Sequence, residues 1–236
     1  MNNTLISGSS RGIGFNIASY LREHGIRVIT NSRAKIELPD SLYSHLAFDC
    51  SDRSQVAHAL EKLYAHDKSL KNLIMCVGSG SIRNKDADLQ WNTNINQNLL
   101  SGIVLFEEAI KQFDSLKNII FISSIAGELI MKDPPVEYSV AKSALNHYVK
   151  HMAAKHAASG LLINAISPGN VFFKDSTWDK RMISDPVGTQ EYIASSVPSG
   201  KFVSMESIST LVHFLISSNE DITGQIIAVD GGQSLR

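Results

Sequence analysis

The sequence predicts an α/β fold in three layers: a doubly wound parallel sheet of about seven strands, with helices on both faces. Two observations predict it. Short apolar runs alternate with longer segments of helical periodicity along the whole chain, and turn-forming residues separate them. At 236 residues, 43% hydrophobic and 19% charged, the chain can bury the core of such a fold as a single domain, 1–236.

The apolar runs define the strands, and the periodic segments define the helices. We expect strands at Leu5–Ile6, Ile26–Thr30, His45–Phe48, Leu73–Val77, Ile119–Ile122, Leu161–Ile166 and Ile226–Val229. We expect helices at Ile13–His24, Gln55–Tyr64, Asn98–Phe113, Val136–Ala158 and Glu206–Ile216. Gly25 should end the first helix, and Ser51 or Asp52 should cap the second. The segment 170–204 shows no clear regular structure, and we expect it to be a substrate-binding lid within the domain.

Composition excludes several classes of function. The formal net charge of -1 gives no reason to expect nucleic acid or a membrane surface as a partner. Cys50 and Cys76 form no CxxC pair, so neither a disulfide framework nor a metal site is expected. The start of the chain lacks a signal-peptide pattern, and no apolar run is long enough to span a bilayer. These features are typical of a cytoplasmic protein.

A glycine-rich loop follows the first strand. Gly8 permits a tight turn, Gly12 lets the backbone approach a pyrophosphate, and Gly14 lets the next helix pack closely on the sheet. The N-terminus of that helix offers N–H groups to phosphates. Because the triplet lies between a strand and an amphipathic helix, it predicts a dinucleotide-binding loop, made of Gly8, Ser10, Arg11, Gly12, Ile13 and Gly14. The alternative is a glycine turn that holds no ligand.

The end of the second strand indicates which nicotinamide cofactor binds. NAD-specific folds place a carboxylate there to hold the ribose hydroxyls, whereas this chain has Thr30-Asn31-Ser32-Arg33. Arg33 and Arg11 suit the ribose 2′-phosphate through bidentate, charge-assisted hydrogen bonds. The sequence therefore predicts a preference for NADP(H) over NAD(H), unless both arginines are solvated surface charges.

Tyr138 and Lys142 are candidates for acid/base chemistry. They lie one helical turn apart on one face. A tyrosine with its ordinary pKa of about 10 is a poor proton donor at neutral pH, and a nearby ammonium lowers that pKa. Such a pair also occurs by chance on surfaces. Its position after a strand ending in Ser123-Ser124 favours a site, since the carboxyl ends of parallel strands face the ligand crevice.

Together these motifs resemble the short-chain dehydrogenase/reductase family. The G-x3-G-x-G spacing is similar to the family's TGxxxGxG, with Ser7 replacing the threonine. Further similar segments follow in the family's order, so that the resemblance extends from about residue 5 to 232: Asn98–Gly102, Ser124–Gly127, Tyr138–Lys142, Asn164–Val171, Ile222–Gln225 and Val229–Gly232. The resemblance implies a Rossmann-like fold and hydride transfer between a nicotinamide and a carbonyl or alcohol.

The resemblance also implies roles for particular residues. Tyr138 would protonate the substrate oxygen, Ser124 would stabilise the developing oxyanion, and Lys142 would lower the Tyr138 pKa and bind the nicotinamide ribose. Asn98 would hold a water beside Lys142. Ser123 competes with Ser124, but is expected to bond locally. The resemblance implies that Tyr138 and Lys142 also contact the cofactor. The other implied contacts are Ser32, Asp49, Cys50, Val77, Gly78, Pro168, Gly169 and Val171. Asp49 would contact the adenine, or alternatively cap the following helix.

Two departures from the family pattern affect the cofactor site. Met75-Cys76 stands where the family usually has two asparagines, and Phe173 stands where it often has a threonine. The usual side-chain contacts to the ribose and to the nicotinamide carboxamide therefore lack their hydrogen-bonding groups.

We predict an NADP(H)-dependent oxidoreductase with a small-molecule substrate. The resemblance to the family also implies a homodimer or homotetramer that associates through the long helix. The alternative is an NADP(H)-binding regulator without turnover, which predicts a broken catalytic set. A sugar-nucleotide epimerase or dehydratase would usually carry a further domain, and the hypothesis of a methyltransferase would not explain Tyr-x3-Lys.

His147 and His151 have metal-ligand spacing, but we expect them to lie on a solvated or subunit-facing surface of the helix. Lys174, Lys180 and Arg181 either meet an anionic or polar group of the substrate or lie on a surface loop.

Overall fold

The computed structural model describes residues 3–35, 43–80, 82–131 and 133–235. One parallel sheet has the order β3-β2-β1-β4-β5-β6-β7. Its strands are β1 (Asn3–Ser7), β2 (Arg27–Ser32), β3 (Tyr43–Ala47), β4 (Leu70–Met75), β5 (Asn118–Ile122), β6 (Leu162–Pro168) and β7 (Ile226–Val229). The helices are α1 (Gly12–Glu23), α2 (Arg53–His66), α3 (Ala87–Ile95), α4 (Ser101–Gln112), α5 (Val136–His156), α6 (Thr177–Ser184), α7 (Pro186–Ser196) and α8 (Met205–Ser217). The predicted fold class is confirmed.

Two apolar cores lie on opposite faces of the sheet, because successive side chains of a strand point to opposite faces. Leu5 and Leu73 pack with residues of α2, α4 and α5, while their neighbours Ile6 and Ile74 pack with residues of α1 and α8. Strands that are buried on both faces need continuous apolar runs, which is the pattern the sequence shows.

The helix boundaries follow the expected punctuation. Gly25 has a φ of 76° and ends α1, and its N–H donates to the Arg22 carbonyl. Asp52, rather than Ser51, caps α2 by accepting hydrogen bonds from the backbone N–H groups of Ser54 and Gln55.

The segment 170–204 differs from its prediction, because it contains α6 and α7. Ser176 caps α6, while Asp185 caps α7 directly before Pro186. The helix α6 is only eight residues long and none of its residues is buried, so its short apolar pattern was not recognised in the sequence. The short helix α3, capped by Asp86, was also not expected.

The strand order reverses direction between β1 and β4. In open α/β sheets, the crevice outside the carboxyl ends of such strands is where ligands bind. The glycine loop follows β1, and Val77-Gly78 follows β4, so both predicted cofactor segments lie at this crevice. Among the described residues, no helix has both the length and the hydropathy that a bilayer crossing requires.

Candidate active site

A cavity of about 620 Å³ occupies the crevice, a size that falls in the range of ligand sites. Every residue predicted to contact the cofactor lines it: Gly8, Ser10, Arg11, Gly12, Ile13, Gly14, Ser32, Arg33, Asp49, Cys50, Val77, Gly78, Tyr138, Lys142, Pro168, Gly169 and Val171. Ser124 also lines the cavity, whereas Asn98 lies behind its wall. The structure therefore collects residues from the whole chain in one place.

The glycine loop is packed so closely that side chains would not fit. Gly8 has a φ of 64°, and a Cβ placed on it would lie 2.9 Å from the Val77 backbone nitrogen. A Cβ on Gly14 would lie 2.5 Å from the Gly8 carbonyl oxygen. Arg11, which precedes α1, makes no side-chain cap, and the first turn of α1 has no acidic residue. The N–H groups at this helix start can therefore receive an anion, so the loop fits the pyrophosphate of a dinucleotide.

Phe173 packs on the glycine loop. A Cβ placed on Gly12 would lie 2.8 Å from the Phe173 Cε2 atom, so the ring rests directly against this glycine. The departure from the family's threonine therefore puts an aromatic face beside the pyrophosphate position.

The end of β2 and the loop after β3 form the other end of the cavity. Arg11 and Arg33 are exposed there. Asp49 accepts hydrogen bonds from the backbone N–H and hydroxyl of Ser51, at 2.8 and 2.7 Å, so it bonds within its own turn rather than capping α2. Cys50 is buried and donates to Asn31 Oδ1, and burial raises the pKa of this thiol to about 12. Cys50 is therefore an uncharged group at the end of the cavity that the adenosine of a dinucleotide would occupy, called the adenosine end below.

Ser124 and Tyr138 meet at the carboxyl end of β5. The Tyr138 side chain is half-buried, and its burial raises the pKa of the phenol, while the hydrogen bond with the Ser124 hydroxyl acts in the opposite direction. Ser123 instead donates its hydroxyl proton to Asn146 Oδ1 on α5, at 2.5 Å. Of the two serines, it is Ser124 that contacts Tyr138, while Ser123 joins the end of β5 to α5.

Lys142 lies one turn of α5 beyond Tyr138. Its Nζ donates to the Ile122 carbonyl at 2.9 Å and lies 5.9 Å from the centre of the Tyr138 ring. Burial lowers the pKa of Lys142 to about 8. We expected Lys142 to lower the Tyr138 pKa, but burial disfavours the charged form of both groups. It raises the Tyr138 pKa and lowers the Lys142 pKa.

Asn98 lies in a single turn of π-helix, Asn96–Leu100, between α3 and α4. Its Oδ1 accepts from the Ser79 N–H at 2.8 Å, and its Nδ2 lies 3.3 Å from the Ser79 carbonyl oxygen. A Cβ placed on Gly78 would lie 2.8 Å from Asn98 Oδ1 and 3.3 Å from Lys142 Nζ, so both side chains face this glycine. The neighbouring Asn94 supports Asn98 by accepting a hydrogen bond from its Nδ2 at 3.4 Å.

Sequence reasoning missed several residues of the cavity wall. The loops after β4 and β5 contribute Arg83 and Asp133, and the predicted lid contributes Trp178 and Tyr192. Of the three cations noted in the lid sequence, only Arg181 lines the cavity. The aromatic and charged composition of 171–181 was the available signal, but it did not indicate which side chains point inward.

The histidine pair of α5 lies elsewhere. The Nε2 atoms of His147 and His151 are 3.0 Å apart on the exposed side of the helix. Within the described parts of the chain, no group of three or more metal-ligand side chains converges.

Comparison with known proteins identifies the family. A family model described as Enoyl-(Acyl carrier protein) reductase matches residues 8–234. The 3-oxoacyl-[acyl-carrier-protein] reductase FabG of Rickettsia prowazekii is 30% identical over 97% of this chain and 95% of its own length. A chloroplastic tropinone reductase homologue of Arabidopsis thaliana is 30% identical over 98% of this chain and 75% of its own length. A solved structure of ElxO with NADP bound superposes with a TM-score of 0.90 at 25% identity, covering 100% of this chain and 99% of that one.

The fold, the cavity at its crevice and these matches agree on one family. The chain belongs to the short-chain dehydrogenase/reductase family, and it is an oxidoreductase that moves hydride between a nicotinamide cofactor and a carbonyl or alcohol.

Proposed function

We propose that the chain is an NADP(H)-dependent reductase or dehydrogenase of a small carbonyl or alcohol, with Tyr138 as its acid/base. The observation that carries this proposal is that Ser124, Tyr138, Lys142 and Asn98 come together beside the glycine loop, within and just behind one cavity wall. NADP(H), when bound, would supply or accept the hydride. A regulator without turnover would have no need to keep all four side chains.

In the direction of reduction, Tyr138 holds the proton that the substrate oxygen receives. Burial raises the pKa of its phenol, so Tyr138 is protonated at neutral pH and carries this proton. Ser124, already in contact with Tyr138, donates a hydrogen bond to the same oxygen and stabilises its developing negative charge. Lys142 and Asn98 both face Gly78. Lys142 would hold the ribose of the cofactor there, and Asn98 would hold a water that links Lys142 to solvent.

Replacing Tyr138 by Phe tests this assignment. We expect turnover to fall by about 10²–10⁴-fold, the usual contribution of a positioned acid, while NADPH binding stays unchanged. Steady-state rates and NADPH fluorescence titration measure the two effects. Wild-type NADPH binding without turnover of any carbonyl would instead favour the regulator, and an active Tyr138→Phe variant would reject the acid/base role.

We propose that NADP(H) is preferred over NAD(H) because Arg11 and Arg33 bind the 2′-phosphate. Both arginines line the adenosine end of the cavity, where β2 ends in Ser32 rather than an acidic residue. The Ser32 hydroxyl donates to the Ala34 carbonyl at 2.6 Å, which fixes the turn that carries Arg33. The similar ElxO structure holds NADP, which is consistent with this preference.

Parallel titrations of NADPH and NADH test the preference. We expect Arg33→Ala to weaken NADPH binding about tenfold to a hundredfold, since a hydrogen bond to a charged group contributes about 1.5–3 kcal/mol, and to leave NADH binding unchanged. Lys180→Ala is a matched control, because Lys180 does not line the cavity. Equal losses for both cofactors would contradict the assignment.

Three further features complete the proposal. The segment 170–204 serves as the substrate lid, because α6 and α7 supply Trp178, Arg181 and Tyr192 to the cavity wall. The protein works in the cytoplasm. It does so as a homodimer or homotetramer that associates through the apolar surface of α5, where Val136 and Val140 are exposed.

A further inference from the structure

Three charged residues from three separate elements meet at the substrate end of the cavity. Arg83 follows β4, Asp133 precedes α5, and Arg181 lies on α6. Arg181 Nη1 donates to Asp133 Oδ2 at 3.0 Å, and Arg83 Nη2 donates to the Asp133 backbone carbonyl at 2.7 Å. All three line the cavity, so the two guanidinium groups are held around one point of its rim.

Arg83 is linked to the proposed acid/base through one glycine. Its Nη1 donates to the Gly80 carbonyl at 3.2 Å, and a Cβ placed on Gly80 would be 3.5 Å from the Tyr138 ring. The guanidinium is therefore held by the same glycine that packs against the Tyr138 ring. A substrate whose oxygen contacts Tyr138 would extend toward this rim.

Arg181 rests on an aromatic cluster. Its guanidinium carbon lies 5.0 Å from the centre of the Trp178 ring, which is cation–π geometry. Trp178 in turn stacks on Tyr192 at 5.4 Å, and contacts the edge of Phe202 at 5.5 Å. This packing fixes the planar cation at the cavity wall, so little side-chain freedom remains to be lost when a ligand binds.

The charges at this end favour an anion. Arg181 pairs with the carboxylate of Asp133, whereas Arg83 binds backbone carbonyls, and among the described residues no carboxylate lies within ion-pair distance of Arg83. The two guanidinium groups and the one carboxylate of this group therefore leave one positive charge in excess. Asp175, a second carboxylate in the cavity lining, is not part of this group and directly precedes Ser176, the cap of α6. The Arg181–Asp133 pair is 39% and 38% exposed, and such exposed pairs contribute little to stability, so a ligand can exchange with Asp133 at little cost.

Building on the proposed function, we propose that the substrate carries a carboxylate or phosphate group that Arg181 and Arg83 bind, while its carbonyl oxygen contacts Tyr138 and Ser124. Guanidinium groups bind both anions in a bidentate manner. Trp178 and Tyr192 form the wall along which the carbon chain between the two ends packs.

Trp178 provides a direct readout of this site. The chain has two tryptophans, so in a Trp91→Phe background, with excitation selective for tryptophan, the fluorescence reports Trp178 alone. The full-length protein, saturated with NADP⁺ to cover Arg33, would be titrated with acetoacetate, levulinate and dihydroxyacetone phosphate. Each anion has an uncharged partner as its control: methyl acetoacetate, methyl levulinate and dihydroxyacetone.

We expect at least one anion to change Trp178 fluorescence at a concentration at least tenfold lower than its uncharged partner does. Which series responds distinguishes a carboxylate from a phosphate. Arg181→Gln should abolish the difference and Arg83→Gln should reduce it, whereas Lys180→Gln, on the same helix but outside the cavity, should preserve it. Equal responses to charged and uncharged partners, no response to any anion, or a difference that survives Arg181→Gln would each overturn the inference.

The same titration in Tyr138→Phe separates this inference from the proposed function. That variant should keep the anion preference while losing turnover, because the anion lies at the rim. If the anion preference is absent but NADPH binds and carbonyls are reduced, only the anionic substrate is rejected. If NADPH fails to bind, the cofactor assignment is rejected, and the dependence of the fluorescence on Arg181 still decides the anion site.

Discussion

Lys142 carries a charge that its surroundings oppose. The side chain is buried on α5, with one hydrogen bond to the Ile122 carbonyl, and its pKa falls from 10.5 to about 8. The folded protein thus releases a proton at a lower pH than the unfolded chain does. Between these two pKa values the unfolded chain binds more protons, so the stability of the fold should rise with pH across that window.

Replacing Lys142 by Met should therefore separate function from stability. We expect turnover to be lost, and the free energy of unfolding near neutral pH to increase by up to about 3 kcal/mol, because the penalty of burying the charge disappears. The rise of stability between about pH 8 and 10.5 should disappear as well. Urea unfolding near neutral pH and above the window measures both effects.

The exposed Lys180→Met variant is the control, and it should leave the pH dependence unchanged. If Lys142→Met is less stable than the wild type near neutral pH and keeps the rise, the burial penalty is not what shifts the Lys142 pKa.

The sequence allowed the prediction of residues that follow a local rule, and missed those that do not. Tyr138 and Lys142 are recognisable because a four-residue spacing joins them on one helix. Arg83 and Asp133 come from two separate loops and are joined through a backbone carbonyl, which leaves no trace in residue spacing. The π-turn around Asn98 was likewise hidden, since one extra residue per turn leaves the composition unchanged.

At the scale of elements, the contact between the turn after β5 and helix α5 sets the catalytic geometry. Gly127 ends a short 3₁₀ turn that begins directly after Ser124. A Cβ placed on Gly127 would lie 2.7 Å from the Lys142 carbonyl carbon. No side chain can be accommodated there unless α5 moves, so this glycine holds Ser124 and Tyr138 at contact distance.

Gly127→Ala should consequently impair both stability and catalysis. We expect a loss of about 1–3 kcal/mol in the free energy of unfolding, typical of overpacking, and a loss of turnover of tenfold or more from misalignment. Urea unfolding and steady-state kinetics measure the two quantities. Gly80→Ala is the stability control, because a Cβ there would meet its nearest atom, in the Tyr138 ring, at an ordinary 3.5 Å. Equal stabilities for the two variants would show that α5 yields easily at Lys142.

The elements that the sequence revealed least well are those with little buried surface. The long helix α5 and strand β5 were located within two residues because a continuous core covers them. Strand β7 is only partly buried, but its four residues form one apolar run that was recognised directly. Helices α6 and α7 begin at Ser176 and Asp185 caps, but bury almost nothing themselves. A short helix that depends on its caps gives a weaker sequence signal than one with a long apolar face.

At the scale of the whole molecule, the sheet could be predicted because its strands are buried on both faces and alternate with helices. The surface of the assembled protein could not be predicted in the same way. Exposed apolar side chains lie on α3, α5 and the turn before α4, three elements that pack against one another: Leu89, Trp91, Leu100, Val136 and Val140. Apolar surface concentrated on neighbouring helices marks a contact face, which is consistent with the proposed homo-oligomer.

Val140→Glu tests whether this face joins two subunits. Val140 is 44% exposed on α5, and a two-fold axis through α5 would bring the two glutamates close together, where their repulsion and desolvation oppose association. We expect the wild type to sediment as a dimer or tetramer, and the variant to sediment as a smaller species. Val187→Glu, at a 64% exposed position of α7, is the matched control and should not change the assembly. A monomeric wild type would reject the oligomer, while an unchanged assembly in Val140→Glu would place the contact on another face.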